Sequence, residues 1–373
     1  MKNLLDGIEE ILLMGPGPSH VPPEIYDAMT RKTLGYLDPY FIEIMDDIQI
    51  LLRKLLNTKN TVTFPVSGTG SSGMETCFVN LIEPKDSVLI LVNGVFGKRM
   101  IEVASRLRAH VTPIEFEWGT PILEEKVETE IFKQDYKIVA AVHAETSTGV
   151  KNPIENIAKI VKNTNSLFLV DCVTSLGGIQ VNVDDWGLDA VYSGSQKCLS
   201  CPPGLAPVTF SEEAFSTVLN RNQKVPNFYL DVSLISEYWS GEKKRTYHHT
   251  APSNMLYAFY QALQLIFNEG IENVFKRHND SHKELVKRLE EMDLQLIVEK
   301  PYRLPMLNAV RIPDNVDDVK TRQFLRDNYK IEIGGGLGTL AGKIWRIGLM
   351  GSTARLENVE RLSRALIQIL KNK

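Results

Sequence analysis

Residues 166–172, SLFLVDC, contain a short apolar run that is followed by Asp171. Five similar runs flank it, namely TVTFPVS (61–67), SVLILVN (87–93), KIVAAVHAE (137–145), LDAVYSGS (188–195) and PVTFS (207–211). Between them, Gly70–Leu81, 97–109 and 154–162 have apolar residues at helical spacing. Strands that alternate with helices predict an α/β fold with a mostly parallel sheet covered on both faces.

The pattern changes after residue 250, where residues 254–289 have the spacing of one long helix. Strand-like segments follow at LQLIV (294–298), LNAVRIP (307–313), IEIGG (331–335) and KIWRIGL (343–349), with helices expected at 317–328 and 356–370. We therefore predict an N-terminal arm (1–14), a large domain (15–268) and a smaller α+β C-terminal domain (269–373). Residues 222–250 have weak periodicity and are predicted to be mostly loop.

Composition excludes several classes of protein. The 373 residues carry 42 basic and 46 acidic side chains without a basic stripe, which argues against nucleic acid as a partner. The N-terminus lacks a basic segment followed by an apolar core, and no apolar run reaches the roughly 18 residues of a membrane span. Four cysteines are too few for a disulfide framework. We predict a cytoplasmic protein without a membrane partner, and no metal site at the Cys198–Cys201 pair.

A lysine and an aspartate follow two of the predicted strands. Lys197 lies in a loop of small residues, where a solvated lysine is the ordinary alternative. A lysine at such a site can form a Schiff base with an aldehyde cofactor and later move a proton. Asp171 would keep a cofactor ring nitrogen protonated, although a helix cap or turn is the commoner role for such an aspartate.

Other segments supply candidates for binding a phosphate, an aromatic ring and a carboxylate. SGTGSSGMET (67–76) is a glycine-rich turn that leads into a helix, so Thr69, Gly70 and Ser71 could cradle a phosphate. It is neither a Walker motif nor GxGxxG. Phe96 could stack on a ring, and Arg346, inside an apolar run, needs an anion such as a substrate carboxylate or a nearby acid.

Taken together, these motifs resemble class V aminotransferases of the alanine-glyoxylate and serine-pyruvate type. The resemblance extends from MGPGPS (14–19) to the last helix and includes six motifs in the family's order: SGTGSSGMET, HAETSTGV, DCVTSLGG, SGSQKCL, YHHTAP and RIGLMG. It implies the fold of type I pyridoxal 5'-phosphate (PLP) enzymes. It also implies PLP-dependent transamination between a small amino acid, alanine or serine, and a small 2-oxo acid, glyoxylate or pyruvate.

The resemblance also assigns roles to residues of this sequence. Lys197 becomes the Schiff-base lysine, Asp171 the partner of the pyridine nitrogen, Phe96 the ring-stacking residue and Arg346 the carboxylate-binding residue. Further positions are expected near the cofactor's phenolic oxygen (Ser147) and phosphate (Thr69, Gly70, Ser71 and Gln196).

The remaining implied positions concern the substrate and a second subunit. Gly15 would line a wall of small residues beside the substrate. Tyr247 and Thr250 would reach the phosphate of a neighbouring subunit, which implies a homodimer with shared active sites. Tyr36, in GYLDP, stands where relatives commonly have histidine, so it leaves the substrate preference open.

Two alternative activities are weighed against transamination. A cysteine desulfurase uses the same fold and cofactor with a cysteine nucleophile on a mobile loop, and here Cys201 directly precedes two prolines. A nicotinamide-dependent oxidoreductase would use a doubly wound sheet, but the sequence lacks its GxGxxG signature.

Overall fold

The computed structural model describes residues 3–240 and 245–371. Its α-helices are α1 (Pro23–Met29), α2 (Pro39–Leu56), α3 (Gly70–Leu81), α4 (Val95–Arg106), α5 (Glu124–Ile131), α6 (Ile154–Val161), α7 (Val183–Trp186), α8 (Glu212–Leu219), α9 (Val232–Trp239), α10 (Ser253–Glu269), α11 (Ile271–Glu290), α12 (Asp318–Tyr329) and α13 (Leu356–Lys371). Its strands are β1 (Leu12–Leu13), β2 (Val62–Ser67), β3 (Ser87–Val92), β4 (His110–Glu115), β5 (Ile138–Val142), β6 (Ala144–Glu145), β7 (Val150–Lys151), β8 (Leu167–Asp171), β9 (Ala190–Tyr192), β10 (Leu205–Phe210), β11 (Leu307–Arg311), β12 (Ile331–Glu332), β13 (Gly334–Gly335) and β14 (Ile344–Gly348).

The largest sheet has seven strands in the order β2-β10-β9-β8-β5-β3-β4. Only β10 runs antiparallel to its neighbours, and its pairing with both β2 and β9 makes those two strands parallel to each other. Every residue of the central strands β5 and β8 is buried, as expected for a sheet covered on both faces. The predicted α/β fold with a mostly parallel sheet is confirmed. The carboxyl ends of β2, β3, β5, β8 and β9 lie at one edge of this sheet.

The C-terminal part of the chain forms a smaller lobe with its own sheet. Its antiparallel sheet has the order β11-β14-β13, and its hydrophobic core is separate from the core of the large sheet. Met14 belongs to this second core, and β1 pairs in parallel with β12. The N-terminal segment therefore joins the C-terminal lobe, whereas Val274, beyond the predicted boundary at 268, packs in the first core. The domain boundaries stay a prediction.

Two expectations about the C-terminal half were wrong. The single helix predicted over 254–289 is two helices, because Gly270 (φ +87°) ends α10 and begins α11. LQLIV forms only an isolated bridge between Leu296 and Val310. Part of the predicted loop 222–250 is helix α9, whose N-cap Asp231 accepts a hydrogen bond from the Ser233 amide; residues 241–244 of that loop lie outside the described residues.

Several elements of the large lobe have no counterpart in the expected pattern, among them helix α2 and strand β4. Helix α2 begins after Asp38, whose carboxylate accepts a hydrogen bond from the Tyr40 amide at 2.9 Å, with Pro39 at the first helical position. Strand β4 is the edge strand beside β3 and contains Pro113, which an edge strand tolerates. Within the described ranges, no helix combines the length and the apolar character needed to cross a membrane.

Candidate active site

Lys197 lies in the loop after β9, and its side chain is folded into the protein. The residue is 9% exposed, and its Nζ atom donates a hydrogen bond to the carbonyl oxygen of Pro16. The same loop is held by Ser19, whose Oγ atom donates to the Lys197 carbonyl oxygen at 2.6 Å. Burial, and secondly the positive charge of Arg346, lower the pKa of Lys197 to about 8. A larger fraction of this amine is therefore neutral than for an exposed lysine.

Asp171 is the last residue of β8, the strand next to β9, and is 3% exposed. Its carboxylate accepts hydrogen bonds from the Val173 amide at 2.8 Å and the Tyr192 hydroxyl at 2.7 Å. Burial raises the pKa of Asp171 to about 6, whereas these hydrogen bonds and the charge of Lys197 lower it. At neutral pH the carboxylate is mostly ionised and can pair with a protonated ring nitrogen.

The start of helix α3 adjoins both of these loops. A Cβ atom on Gly70, the first residue of α3, would lie 3.3 Å from Val173 Cγ2 and 3.6 Å from Gly194 Cα. Thr69 is the N-cap and makes no side-chain capping bond. The amides of Gly70 and Ser71 have no partner inside the helix, and the helix dipole is positive here, so this end suits a phosphate.

Gln196 directly precedes Lys197 in the loop that adjoins this helix end. A Cβ atom on Gly194 would come within 2.8 Å of the Gln196 Oε1 atom. That oxygen is buried and has no hydrogen-bond partner within the described part of the chain. A buried polar atom without a partner carries a desolvation cost of about 1–3 kcal/mol, so the site is suited to a polar group that would contact it.

Phe96 lies in the first turn of helix α4, and Ser147 makes a hydrogen bond to the same turn. Phe96 is half-buried, and the guanidinium carbon of Arg99 lies 5.1 Å from its ring centroid. The Ser147 hydroxyl accepts a hydrogen bond from the Val95 amide at 3.0 Å and donates one to the Glu145 carboxylate at 2.5 Å. The hydroxyl proton of Ser147 is thus donated to Glu145, so this side chain can offer a further ligand only its oxygen.

Arg346, in the middle strand of the small sheet, is 7% exposed. Its Nε atom donates to the Gly335 carbonyl oxygen at 2.7 Å, and one terminal nitrogen donates to the Thr146 carbonyl oxygen at 3.4 Å. No carboxylate lies within 4.0 Å of its guanidinium in residues 3–240 and 245–371. Burial lowers the pKa of Arg346 to about 10, so the group stays a cation at neutral pH. It is suited to a substrate carboxylate.

Gly334 is paired with Arg346 across strands β13 and β14. The nearest atom to a Cβ on Gly15 would be the backbone nitrogen of Gly334, at 3.6 Å. A Cβ on Gly334 would come within 2.5 Å of Pro16 Cδ. The N-terminal segment and strand β13 therefore approach each other too closely for a side chain at residue 334.

Tyr247 and Thr250 lie apart from this cluster, on the exposed surface. Tyr247 is 50% exposed, its hydroxyl lies 3.1 Å from the Thr250 hydroxyl, and its ring centroid is 4.7 Å from that of Tyr36. His249 lies between them in the sequence, and its Nε2 atom is 3.0 Å from the Oγ atom of Ser67, at the end of β2. Within one chain these residues adjoin strand β2 without contacting Lys197.

All four cysteines are buried and free of disulfides. Burial raises the pKa of Cys198 to about 12 and that of Cys201 further above its ordinary value. A cysteine nucleophile needs a thiolate and access to the substrate. Neither thiol meets these needs, which leaves the desulfurase alternative without support from the structure. No metal-binding group of His, Cys, Asp and Glu occurs within the described ranges.

Three residues of the site were not predicted from the sequence. Glu145 contacts the start of α4, Tyr192 contacts Asp171, and Arg99 lies 3.5 Å from the Ser71 hydroxyl. A signal for Glu145 was available, because it is an acid among small residues just after an apolar strand, as Asp171 is. Nothing in the sequence marks Tyr192, which occupies an ordinary strand position.

The residues fit PLP at each of its three functional ends. A buried amine of lowered pKa suits the aldehyde, a buried carboxylate suits the ring nitrogen, and the uncapped start of α3 suits the phosphate. Lys197, Asp171 and Gly70 belong to neighbouring loops, since Val173 and Gly194 both contact the start of α3.

Comparisons with known proteins agree with this chemistry. Residues 11–362 match the family model of class-V aminotransferases. An (S)-ureidoglycine–glyoxylate transaminase of Bacillus subtilis (strain 168) is 38% identical over 365 residues, covering 93% of this chain and 87% of that protein. An alanine–glyoxylate aminotransferase of Oryctolagus cuniculus is 37% identical, covering 97% and 93%. The crystal structure of an alanine–glyoxylate aminotransferase from Nostoc sp. is 46% identical with a TM-score of 0.95, covering 97% and 96%.

Proposed function

Because the chain belongs to the class-V aminotransferase family, we propose that this PLP-dependent enzyme transfers the amino group of a small amino acid, alanine or serine, to glyoxylate or pyruvate. The observation that carries the proposal is that a buried amine and a buried guanidinium adjoin the same N-terminal turn: Lys197 donates to Pro16, and Gly334, the strand partner of Arg346, packs against Pro16. One group reacts with amines and aldehydes, and the other binds the carboxylate common to every substrate.

PLP supplies an electron sink that stabilises negative charge at the substrate's α-carbon. The negative charge of Asp171 would hold the proton on the ring nitrogen, and the Tyr192 hydroxyl orients that carboxylate. The start of α3 would hold the phosphate, and Phe96 would cover the ring. These residues orient the cofactor and do not themselves exchange protons with the substrate.

Lys197 moves the proton of the reaction. With PLP bound and its amine free, the Nζ atom of Lys197 would accept the proton from the substrate's α-carbon and would later donate it again as a general acid. The lowered pKa favours the neutral amine that this transfer requires. The amino acid and the 2-oxo acid use the same site in turn, so we expect ping-pong kinetics.

Arg346 orients both substrates through two hydrogen bonds to their carboxylate. Gly334, the strand partner of Arg346, packs against Pro16, and this tightly packed neighbourhood of the arginine supports small substrates. Glyoxylate as acceptor is further supported by the three relatives described above, each of which is named for it. One relative uses (S)-ureidoglycine as its donor, and its 38% identity makes that molecule the second candidate donor.

The experiment is a matrix of donors against acceptors. Alanine, serine, glycine and (S)-ureidoglycine are each mixed with the purified holoenzyme, and the half-reaction is followed by cofactor absorbance. Glyoxylate and pyruvate are then supplied in turn. We expect rapid amino transfer from at least one small donor to glyoxylate, and none by the Lys197→Ala protein. Normal turnover by Lys197→Ala, or sulfide release from cysteine without a 2-oxo acid, would contradict the proposal.

We also propose a homodimer in which Tyr247 and Thr250 reach the phosphate site of the partner subunit. Exposed aromatic side chains support it, because Tyr247, Phe228 (68% exposed) and Tyr229 (44% exposed) lie near the end of β2. Aromatic residues on a surface are typical of protein interfaces. A cytoplasmic location stays a prediction, supported by four free thiols.

A further inference from the structure

Glu145 is a fully buried acid that the mechanism above does not use. It is 0% exposed, and no basic group lies within 4.0 Å of its carboxylate in the described part of the chain. Its Oε1 atom accepts hydrogen bonds from the Ser147 amide at 3.1 Å and from the Ser147 hydroxyl at 2.5 Å. Its Oε2 atom accepts from the Phe96 amide at 3.2 Å and the Gly97 amide at 3.4 Å. All four partners are donors, which suits an ionised carboxylate.

We propose that Glu145 is a positioning residue that fixes the Phe96 ring for cofactor binding, by capping helix α4 from a different strand. The inference rests on the proposed function for the role of Phe96 as the ring that covers PLP. The Glu145 carboxylate fixes the position of that ring through its hydrogen bonds to the Phe96 and Gly97 amides.

The first turn of α4 shows how this link is built. Three successive amides, those of Val95, Phe96 and Gly97, donate to the side chains of Ser147 and Glu145. Helix α3, in contrast, begins without a side-chain cap. The amides at the start of α3 are available to an anion, whereas those at the start of α4 are bonded to a carboxylate of the protein itself. The two helix ends therefore differ in function.

Gly94 shows how tightly the carboxylate is packed against the helix. A Cβ atom on Gly94 would overlap the Glu145 carboxyl group and come within 2.5 Å of the Ser147 Oγ atom. The backbone before α4 can approach Glu145 only because residue 94 has no side chain. A movement of the Glu145 side chain would therefore be transmitted directly to the segment that carries Phe96.

The Glu145 carboxylate also interacts electrostatically with Asp171 and Arg346. Burial raises the pKa of Glu145 to about 7, and the negative charge of Asp171 raises it further, while its hydrogen bonds with Ser147 and Gly97 lower it. The negative charge of Glu145 in turn raises the pKa of Arg346. The side chain thus lies within electrostatic reach of both ends of the site, although its hydrogen bonds go only to the start of α4 and to Ser147.

The test compares the PLP affinity of variants. Glu145→Gln keeps the shape but directs NH₂ donors at groups that are themselves donors. We expect its Kd for PLP to rise about tenfold or more, with a weaker visible circular dichroism band of the bound cofactor. Glu102→Gln is the matched control, since Glu102 lies on the same helix and its exposed side chain pairs with Arg106. That control should bind PLP as the wild type does.

A double-mutant cycle separates positioning from general damage. In a Phe96→Leu background the effect of Glu145→Gln should fall below about threefold, because the ring it positions is gone. An undiminished effect in that background, or a Kd within threefold of wild type for Glu145→Gln alone, would overturn the proposal. Should Glu145→Gln fail to fold, Ser147→Ala removes one donor and should raise the Kd in the same direction; no rise would equally overturn it. Failure of wild-type amino transfer would instead reject the proposed function.

Discussion

A Cβ atom on Gly17 would lie 2.5 Å from the Nζ atom of Lys197 and 2.8 Å from its Cδ atom. Gly17 also has φ +110°, a conformation that favours glycine. Its neighbour Pro16 accepts the hydrogen bond of the lysine. The N-terminal turn is therefore shaped around the reactive side chain, and a side chain at residue 17 would displace it.

Gly17→Ala should lower kcat by more than about tenfold. The alanine strains the backbone at this positive φ, and its methyl group would displace the Lys197 side chain. Gly187→Ala is the matched control, since Gly187 has φ +68° but nothing within 4 Å of its Cβ position. Steady-state kinetics and the yield of borohydride-trapped cofactor measure the difference. Equal loss of activity in both variants would show that backbone strain alone is responsible.

Arg346→Lys should raise the KM of both the amino acid and the 2-oxo acid by about 10-fold to 100-fold, because one charge-assisted hydrogen bond of about 1.5–3 kcal/mol is lost. The protein should keep its cofactor spectrum. Arg311→Lys, at the exposed end of the neighbouring strand β11, serves as the control. An unchanged KM in Arg346→Lys would remove this residue from substrate binding.

The apoenzyme should capture PLP with a rate that rises with pH and is half-maximal near pH 8, because only the neutral Lys197 amine attacks the aldehyde. Lowering the pH below this value protonates the amine and slows capture. Arg346→Gln removes a positive charge that lowers the pKa of Lys197, so its midpoint should move to higher pH. Stopped-flow absorbance measures both. A midpoint near the ordinary lysine value of about 10.4 in the wild type would disagree with a buried amine.

Mixed dimers test the shared site. Lys197→Ala and Tyr247→Ala proteins should each have low activity as homodimers. If Tyr247 acts on the partner's phosphate, a heterodimer of the two contains one intact site, and activity should return on mixing and refolding. Activity is assayed across mixing ratios, with each variant refolded alone as the control. No recovery, with heterodimers present by mass, would mean that Tyr247 acts within its own subunit or not at all.

Tyr192→Phe should move the acid limb of the kcat/KM profile to higher pH. The Tyr192 hydroxyl donates to Asp171 and lowers its pKa, so its loss raises that pKa above about 6. The carboxylate then becomes protonated at a higher pH and no longer supports the ring nitrogen. Removing this buried hydrogen bond should also lower the free energy of unfolding by about 1–3 kcal/mol. An unchanged acid limb would show that Asp171 does not control the profile.

Much of the large lobe could be predicted because its strands are short, buried and apolar. Helix α3 has the predicted bounds, since a glycine-rich turn precedes it and a loop with Pro84 follows. Strand β4 was missed because an edge strand alternates exposed and half-buried residues and even contains proline. Helix α9 was missed because only eight residues of it separate two irregular segments.

Some residues of the candidate site could be predicted from the sequence, whereas others could not. Lys197, Asp171 and Arg346 were predicted because each is a charged residue in an apolar setting, which requires a partner. Their relation to Pro16 and Gly17 could not be predicted, since contacts between distant parts of the chain leave no local periodicity. Glu145 also follows an apolar strand, but its partners are three backbone amides and the Ser147 hydroxyl, so its role at helix α4 could not be predicted from the sequence.

The pairing of Leu12 and Leu13 with Ile331 and Glu332 joins segments more than 300 residues apart. During synthesis the ribosome releases residue 12 long before residue 331, so this pairing forms only after residue 331 has been made. The turn that receives the reactive lysine adjoins that pairing. A nascent chain can thus bury most of its large sheet early, yet it becomes competent for chemistry only after the C-terminal lobe has been synthesised.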